Sequence, residues 1–206
     1  MTEADPFHHL RTMLNRPEPG PVRRVKVVGF DGPDVLVSLA DGEGPHAETG
    51  RIPGGEVSMR RAEHPSAFLE SGQEVEAEEI GRFREGELLL SASACEYPQL
   101  RSFLVGIRPG QVVSGTVSAV HDFGVFVDLD GQPDGFHTGF IRVPDLSWSW
   151  SDRPSDVVRP GQRITARVIQ SETRRGQVAV SLKALQENPA PVSPIRSAGS
   201  SERPPR

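Results

Sequence analysis

Alternating apolar residues predict a strand in the stretch HDFGVFVDLDG, which covers residues 121–131. Apolar side chains recur there with a period of two, which is typical of a strand with one buried face. The set expected to face the core is Val125, Val127 and Leu129. Phe126 falls on the opposite side of this strand, and Phe123 precedes the glycine at its start. The pattern therefore predicts two aromatic side chains that face solvent.

The chain contains one arrangement of apolar positions twice. Residues 50–80 align without a gap on residues 139–169, a shift of 89 (139 − 50), and nine of the aligned positions are identical. A shift of 90 (125 − 35) places the strand at Val35 on the strand at Val125. Each copy has about five strand-like runs bounded by turn residues. The sequence therefore predicts two tandem copies of one module.

Five short strands per module are better closed into a barrel than split into two sheets, because a barrel has one core and few free edges. The predicted fold class is all-β, with two tandem five-stranded OB-fold barrels, a short N-terminal helical segment and a disordered C-terminal tail. The expected divisions are an N-terminal extension (1–20), the first barrel (21–96), a linker (97–106), the second barrel (107–187) and the tail (188–206). The tail is rich in Pro, Ser and Arg and has too few apolar residues to fold.

Charge is distributed unevenly along the chain. The net charge is −5, but residues 1–105 carry 11 Lys+Arg against 18 Asp+Glu, whereas residues 106–188 carry nine of each. The second module is therefore less acidic than the chain as a whole. Cys95 is the single cysteine, which excludes an intramolecular disulfide and suits a reducing compartment. Because no long apolar run occurs, the sequence predicts a cytoplasmic protein with no membrane partner.

The second module resembles a known RNA-binding family. The motifs that carry the resemblance are, in order, GQVVSGTVSAVHDFGVFVDL, GFIRVPDLSW, RPGQRITARVI and VAVSLK. Together they resemble the S1 RNA-binding domain family over residues 107–187. The resemblance implies an OB-fold barrel that binds single-stranded RNA on one face. The first module looks like a degenerate member of the same family.

The resemblance assigns base stacking to the aromatic pair Phe123 and Phe126, since single-stranded RNA is held by bases that stack on exposed rings. The alternative is that both rings complete the barrel core. Arg142 stands where the family usually has a histidine in the third strand, and it can stack on a base or pair with phosphate. His137, slightly upstream, either substitutes for that histidine or is a solvated loop residue.

Further candidate contacts lie in the turn between the fourth and fifth strands and in the connector after the third. Members of the family have an acidic RNA contact around that turn, and Glu172 is the acidic residue closest to its position in this chain. Arg174 and Arg175 either reach phosphate from the hairpin or keep the hairpin soluble. Trp150 follows the tryptophan common in the family, at Trp148, by two residues and is a candidate extension of the stacking surface.

The first module lacks the stacking residues. Pro33 and Leu36 occupy the positions of Phe123 and Phe126 in the repeat alignment. The segment EVEAEEI in this module is acidic and would repel phosphate. The sequence therefore predicts a structural or protein-contact role for the first module.

No arrangement of residues in the sequence indicates catalysis. A paired nucleophile and base, a phosphate-binding glycine loop and a spaced set of metal ligands are all missing from the sequence, so we expect no enzyme, no cofactor and no metal site. One hypothesis is a binding protein for single-stranded RNA, either mRNA or rRNA, that acts in translation, at the ribosome or in RNA turnover. The other is a protein-interaction adaptor that keeps the OB fold without binding RNA, with a protein partner on the first module.

Overall fold

A computed structural model describes residues 19–39, 48–83, 86–148 and 153–186. The predicted N-terminal helical segment, the C-terminal tail and Trp150 lie outside these residues. The strands of the first barrel are β1 (Val22–Asp31), β2 (Asp34–Leu39), β3 (Thr49–Ile52), β4 (Glu74–Arg82) and β5 (Leu88–Ser91). The helix α1 (Pro98–Gly106) precedes β6 (Val112–His121), β7 (Gly124–Leu129), β8 (Gly139–Arg142), β9 (Arg163–Glu172) and β10 (Gln177–Ser181) of the second barrel.

Each set of five strands closes into a barrel with the same strand order. In the first barrel the order is β1-β2-β3-β5-β4, and β4 pairs with β1 to close it. In the second barrel β6, β7, β8, β10 and β9 follow in the same way. All neighbouring strands are antiparallel except β3 with β5 and β8 with β10, which are parallel. The predicted fold class of two tandem five-stranded barrels is confirmed.

The strand register follows the repeat in the sequence. Val37 lies opposite Gly50 in the first barrel, and Val127 lies opposite Gly139 in the second. Equivalent residues of the two copies therefore differ by 90 in residue number on the second strand of each barrel and by 89 on the third. The segment between these two strands is one residue shorter in the second copy. The second and third strands therefore pair in the same register in both barrels.

Each barrel has its own apolar core, formed by the inward-facing residues of its strands. The alternation predicted for β7 is confirmed, since Val125 and Val127 are 0% exposed and Leu129 is 4% exposed. The equivalent Val35 and Val37 are buried in the first barrel. A shared period of two on both strands therefore builds both cores in the same way.

The segment predicted as a linker forms α1 and packs on the second barrel. Pro98 occupies the first turn of this helix, where its missing N–H has no hydrogen bond to lose. Leu100 and Leu104, four residues apart on one helix face, are buried in the second core. No helix in the described part of the chain is long and apolar enough to span a membrane.

The two barrels meet around Glu78, a carboxylate on β4 that is buried in the structure. It forms an ion pair with Arg101 of α1. It also accepts hydrogen bonds from the Thr173 hydroxyl of the second barrel at 2.9 Å and from the Gly20 N–H at 3.1 Å. A buried charge is tolerated when it is paired and hydrogen-bonded in this way. Glu78 therefore links the first barrel, the helix and the second barrel.

A second contact between the barrels comes from the turn between β9 and β10. The Arg174 guanidinium lies 2.9 Å from the Glu56 carboxylate of the first barrel. The Ser93 hydroxyl donates to the Arg174 carbonyl at 3.3 Å, and Met59 packs against the core of the second barrel. Polar and apolar contacts thus hold this turn against the first barrel.

Candidate nucleic-acid interface

Four aromatic side chains cluster on the outside of the second barrel, and we call them the aromatic patch: His121, Phe123, Phe126 and Phe140. The His121 and Phe123 rings are stacked, with centroids 5.1 Å apart and planes within 7°. The Phe126 and Phe140 centroids are 5.2 Å apart, and those of Phe123 and Phe126 are 6.2 Å apart. These spacings are typical of favourable aromatic pairs.

Strand register brings the aromatic patch together. Phe126 on β7 lies directly opposite Phe140 on β8, and Ala119 on β6 lies on its other side. His121 ends β6 and pairs with Gly124 at the start of β7. The tight turn between these two residues places the Phe123 ring beside the rings of His121 and Phe126. The patch therefore depends on three adjacent strands and one tight turn.

Gly124 provides the space that the patch needs. A Cβ atom at this position would lie 2.6 Å from the Phe140 ring and 2.6 Å from the Ile141 carbonyl oxygen. The backbone φ of Gly124 is 156°, a conformation that residues with a side chain rarely adopt. The glycine between the two phenylalanines of the FGVF motif thus lets the Phe140 ring pack across β7. Any larger residue there would displace Phe140 or the strand.

The rings of the aromatic patch lie outside the barrel core. Phe123 is 64% exposed, and Phe126 and Phe140 are partly buried. The core next to them is filled by aliphatic side chains, including Val125 and Ile141, which are both 0% exposed. An exposed ring face of this kind can stack on another planar group, such as a nucleic-acid base.

Sequence reasoning did not identify His121 and Phe140 as part of this cluster. The alternation in β8 places Phe140 on the outer face, between the buried Gly139 and Ile141, but its contact with Phe126 follows only from the pairing of β7 with β8. His121 carried a weaker signal, since its position depends on the bulge at Val117 to Ala119 that shifts the end of β6.

Arg142 and His137 flank the aromatic patch. Arg142 pairs with Gly124 in the strand register, and its guanidinium lies 2.9 Å from the Asp145 carboxylate. His137 Nδ1 lies 2.7 Å from the carboxylate of Asp128, which is on the same side of β7 as Phe126. Both candidate side chains are exposed, so both are available at the rim of the patch.

The hairpin candidates divide into two groups. Arg175 is exposed, with its guanidinium 3.6 Å from the Glu172 carboxylate. Arg174 instead turns toward Glu56 of the first barrel, so its side chain is part of the contact between the barrels. Near the connector, the Lys183 ammonium lies 4.0 Å from the centre of the Trp148 ring. The structure thus brings Glu172 and Arg175 together and directs Arg174 away from them.

The first barrel has an ion-paired cluster at the position equivalent to the aromatic patch. Its counterparts, by the strand register and the repeat, are Asp31, Pro33, Leu36 and Arg51. The Arg51 guanidinium lies 3.0 Å from Asp31 and 3.1 Å from Asp34. Hydrogen bonds from Asp31 and Asp34 raise the pKa of Arg51 above its ordinary value. This face of the first barrel therefore offers neither exposed aromatic rings nor a free cation.

The single cysteine is not an activated thiol. Burial raises the pKa of Cys95 to about 11, so the thiol is protonated at neutral pH. In the described part of the chain, no cluster of three or more His, Cys, Asp or Glu side chains is arranged to hold a metal ion.

Comparison with known proteins identifies the second barrel. The family model described as the S1 RNA binding domain matches residues 107–183. Small ribosomal subunit protein bS1 of Mycobacterium tuberculosis is 36% identical over 145 residues, which cover 68% of this chain and 29% of that protein. The chain thus spans less than a third of the length of the ribosomal protein that it matches.

Two further matches are more limited. A 4-hydroxy-3-methylbut-2-enyl diphosphate reductase of Clostridium acetobutylicum is 34% identical over 83 residues, which are 40% of this chain and 12% of the enzyme. The solution structure of GSP13 from Bacillus subtilis covers 48% of this chain and 74% of that chain, with 20% identity and a TM-score of 0.35. The family match, the ribosomal relatives and the closed barrel of β6 to β10 agree, and the chain therefore carries a member of the S1 RNA-binding domain family in its second barrel.

Proposed function

We propose that this protein binds single-stranded RNA through the aromatic patch of its second barrel. The observation that carries the proposal is the cluster of four rings, in which Phe123 is 64% exposed on the outer face of the barrel. Bases of a single strand can stack on such rings, whereas bases of a duplex are already stacked on each other. Arg142 and His137 supply a cation and a hydrogen-bonding ring at the rim of the patch.

We assign the protein to translation, as a cytoplasmic component that contacts mRNA or rRNA at the ribosome. Support comes from the relatives that share 36% identity, which are small ribosomal subunit proteins. Because the chain spans 29% of such a protein, it carries only part of that architecture. The role proposed is binding without catalysis, with the first barrel as a support or a protein contact.

The test is a titration of the intact protein with a labelled single strand of mixed sequence and with the same strand in an RNA duplex. We expect the duplex to bind about fivefold or more weakly, because one lost base stack costs about 1 to 3 kcal/mol. Equal affinity for both forms would show that bases are not stacked on the protein, and would reject the proposal.

Replacing Arg142 with Ala should reduce the salt dependence of RNA binding. Each contact between a cation and a phosphate adds about 0.7 to the slope of log affinity against log salt concentration for single strands. We expect the slope to fall by about that amount in Arg142→Ala, measured by titration at four or more salt concentrations.

Arg163→Ala is the matched control for Arg142→Ala. The two arginine side chains are 61% and 63% exposed, and each is paired with an aspartate. Arg163 pairs with Asp130, which follows the end of β7 that is opposite to Phe123. The control should keep the salt slope of the unmodified protein, and an equal change in both variants would show a general effect of charge.

A second candidate function is that of a protein-interaction adaptor. The observation that favours it is the ion-paired cluster around Arg51, which replaces the stacking rings in the first barrel. Capture of partners from a cell lysate with and without ribonuclease separates the two functions. Partners that persist after ribonuclease treatment, together with no RNA binding in titrations, would favour the adaptor.

A further inference from the structure

A groove of about 580 Å³ lies between the two barrels, and we call it the inter-barrel groove. One wall is the connector of the first barrel between β3 and β4, including residues 57–65. The other wall is the turn between β9 and β10, with Arg174, Arg175 and Gln177. Contacts of the turn with Glu56 and Glu78 help to hold the two walls in place.

The lining of the inter-barrel groove is strongly basic. Four of its residues are arginines, two from each barrel, and one is a glutamate, Glu63. The arginines are Arg60, Arg61, Arg174 and Arg175. This contrasts with the overall charge of the chain, which is −5, and three of the four arginines, Arg60, Arg174 and Arg175, are each paired with a glutamate outside the lining.

Two of these arginines are available to a ligand. Arg61 is exposed and has no ion-pair or hydrogen-bond partner among the residues that the structure describes. Arg175 is 74% exposed and lies 3.6 Å from Glu172, a separation longer than a direct hydrogen bond. Exposed pairs of this kind contribute little stability, so a phosphate can replace the carboxylate at small cost.

The other two arginines shape the groove. The Arg60 guanidinium lies 3.2 Å from the Glu96 carboxylate and 4.9 Å from the centre of the Phe68 ring, and both contacts hold it at the groove wall. Arg174 is fixed by Glu56. The exposed His64 ring completes this wall of the groove.

The inter-barrel groove is continuous with the aromatic patch. Ala179 on β10 lies beside Phe140 in the parallel pairing of β8 and β10. Gln177 is two residues earlier on the same side of β10, and it lines the groove. An RNA strand that extended from the patch across β10 would therefore reach the groove at Gln177.

We propose that the inter-barrel groove binds the sugar-phosphate backbone of RNA that extends beyond the aromatic patch. This inference rests on the proposed function, because it extends the same strand into a second site. The first barrel thereby takes part in RNA binding through its connector, even though it lacks stacking rings on the face equivalent to the patch. The basic lining fits a polyanion, and the exposed His64 ring offers a surface for a base or a ribose.

The experiment compares two oligouridylates, of about 5 and about 12 nucleotides, since a single OB fold covers roughly 4 to 16 nucleotides. The variant is the single substitution Arg61→Gln in the full chain. We expect this variant to bind the short oligonucleotide as the unmodified protein does, because Arg61 lies on the first barrel and not in the candidate interface of the second. For the long one, the slope of log affinity against log salt concentration should fall by about 0.7, the value for one lost phosphate contact with a single strand.

Two controls keep the result interpretable. Arg163→Gln removes an exposed arginine far from the groove and should leave both affinities unchanged, and thermal unfolding should show that all variants are folded. Unchanged binding of the long oligonucleotide by Arg61→Gln would overturn the groove proposal, as would an equal loss for both lengths. Phe123→Ala tests the proposed function separately. It should lower the affinity for the short oligonucleotide, whereas the groove variant should leave that affinity unchanged.

Discussion

Leu104→Ala is expected to lower the free energy of unfolding of the second barrel by about 2 to 5 kcal/mol. Leu104 is 0% exposed and belongs to the core of that barrel, although it lies on α1 before the first strand of the module. Truncation removes buried apolar surface and leaves a cavity that the closed barrel cannot easily fill. The helix is thus a part of the second core.

Val105→Ala is the matched control, because Val105 is the next residue of the same helix and is 47% exposed. We expect a change within about 0.5 kcal/mol for this variant. Urea unfolding followed by tryptophan fluorescence reports on the second barrel, since both tryptophans of the chain, Trp148 and Trp150, lie in its sequence. Similar changes in the two variants would show that α1 does not pack into the core as described.

The repeated pattern in the sequence was sufficient to predict both barrels. An inward residue on every second position of β2 and β7 fixes which face is buried, and a one-residue slip would expose the whole set. The register of β3 and β8 follows because Gly50 and Gly139 pair with equivalent valines. Closure into a barrel then follows from five short strands that share one core.

The contacts between the barrels could not be predicted in the same way. Glu78 lies in the acidic segment EVEAEEI, and nothing in its local pattern distinguishes it from the exposed Glu74 and Glu76. Its burial depends on Arg101 and Thr173, which are 23 and 95 residues away in the chain. The helix α1 did carry a local signal, because Pro98 precedes apolar residues four positions apart at Leu100 and Leu104.

The candidate site was predicted in part. The period of two placed Phe126 outside, and Phe123 is exposed as that pattern indicates. The full aromatic patch also needs Phe140, which reaches Phe126 only through pairing between strands. Arg174 was predicted as a hairpin cation, but a long-range ion pair with Glu56 decides where its side chain points.

Phe123→Ala is expected to weaken the binding of single-stranded RNA by about 1 to 3 kcal/mol, the usual cost of one lost base stack. The ring is 64% exposed, so its removal leaves the core intact. Stability should fall by at most about 1 kcal/mol, from the lost ring contacts with His121 and Phe126. Titration with a labelled oligonucleotide and thermal unfolding of the same samples measure the two effects.

The salt dependence of Phe123→Ala distinguishes stacking from charge. Stacking does not release counterions, so affinity should fall by the same factor at every salt concentration and the slope should stay constant. Val112→Ala is the matched control, because Val112 is 50% exposed on the second barrel and lies at the end of β6 opposite to His121. It should leave RNA affinity unchanged.

The opposite outcome would have a clear physical meaning. If Phe123→Ala retained full RNA affinity while the second barrel unfolded at a much lower temperature, Phe123 would act through packing within the patch. The same comparison with Phe126→Ala, whose ring is partly buried against Phe140, should show a larger stability loss than Phe123→Ala. A binding loss in Phe123→Ala without that stability loss is the result that assigns the exposed ring to the RNA base.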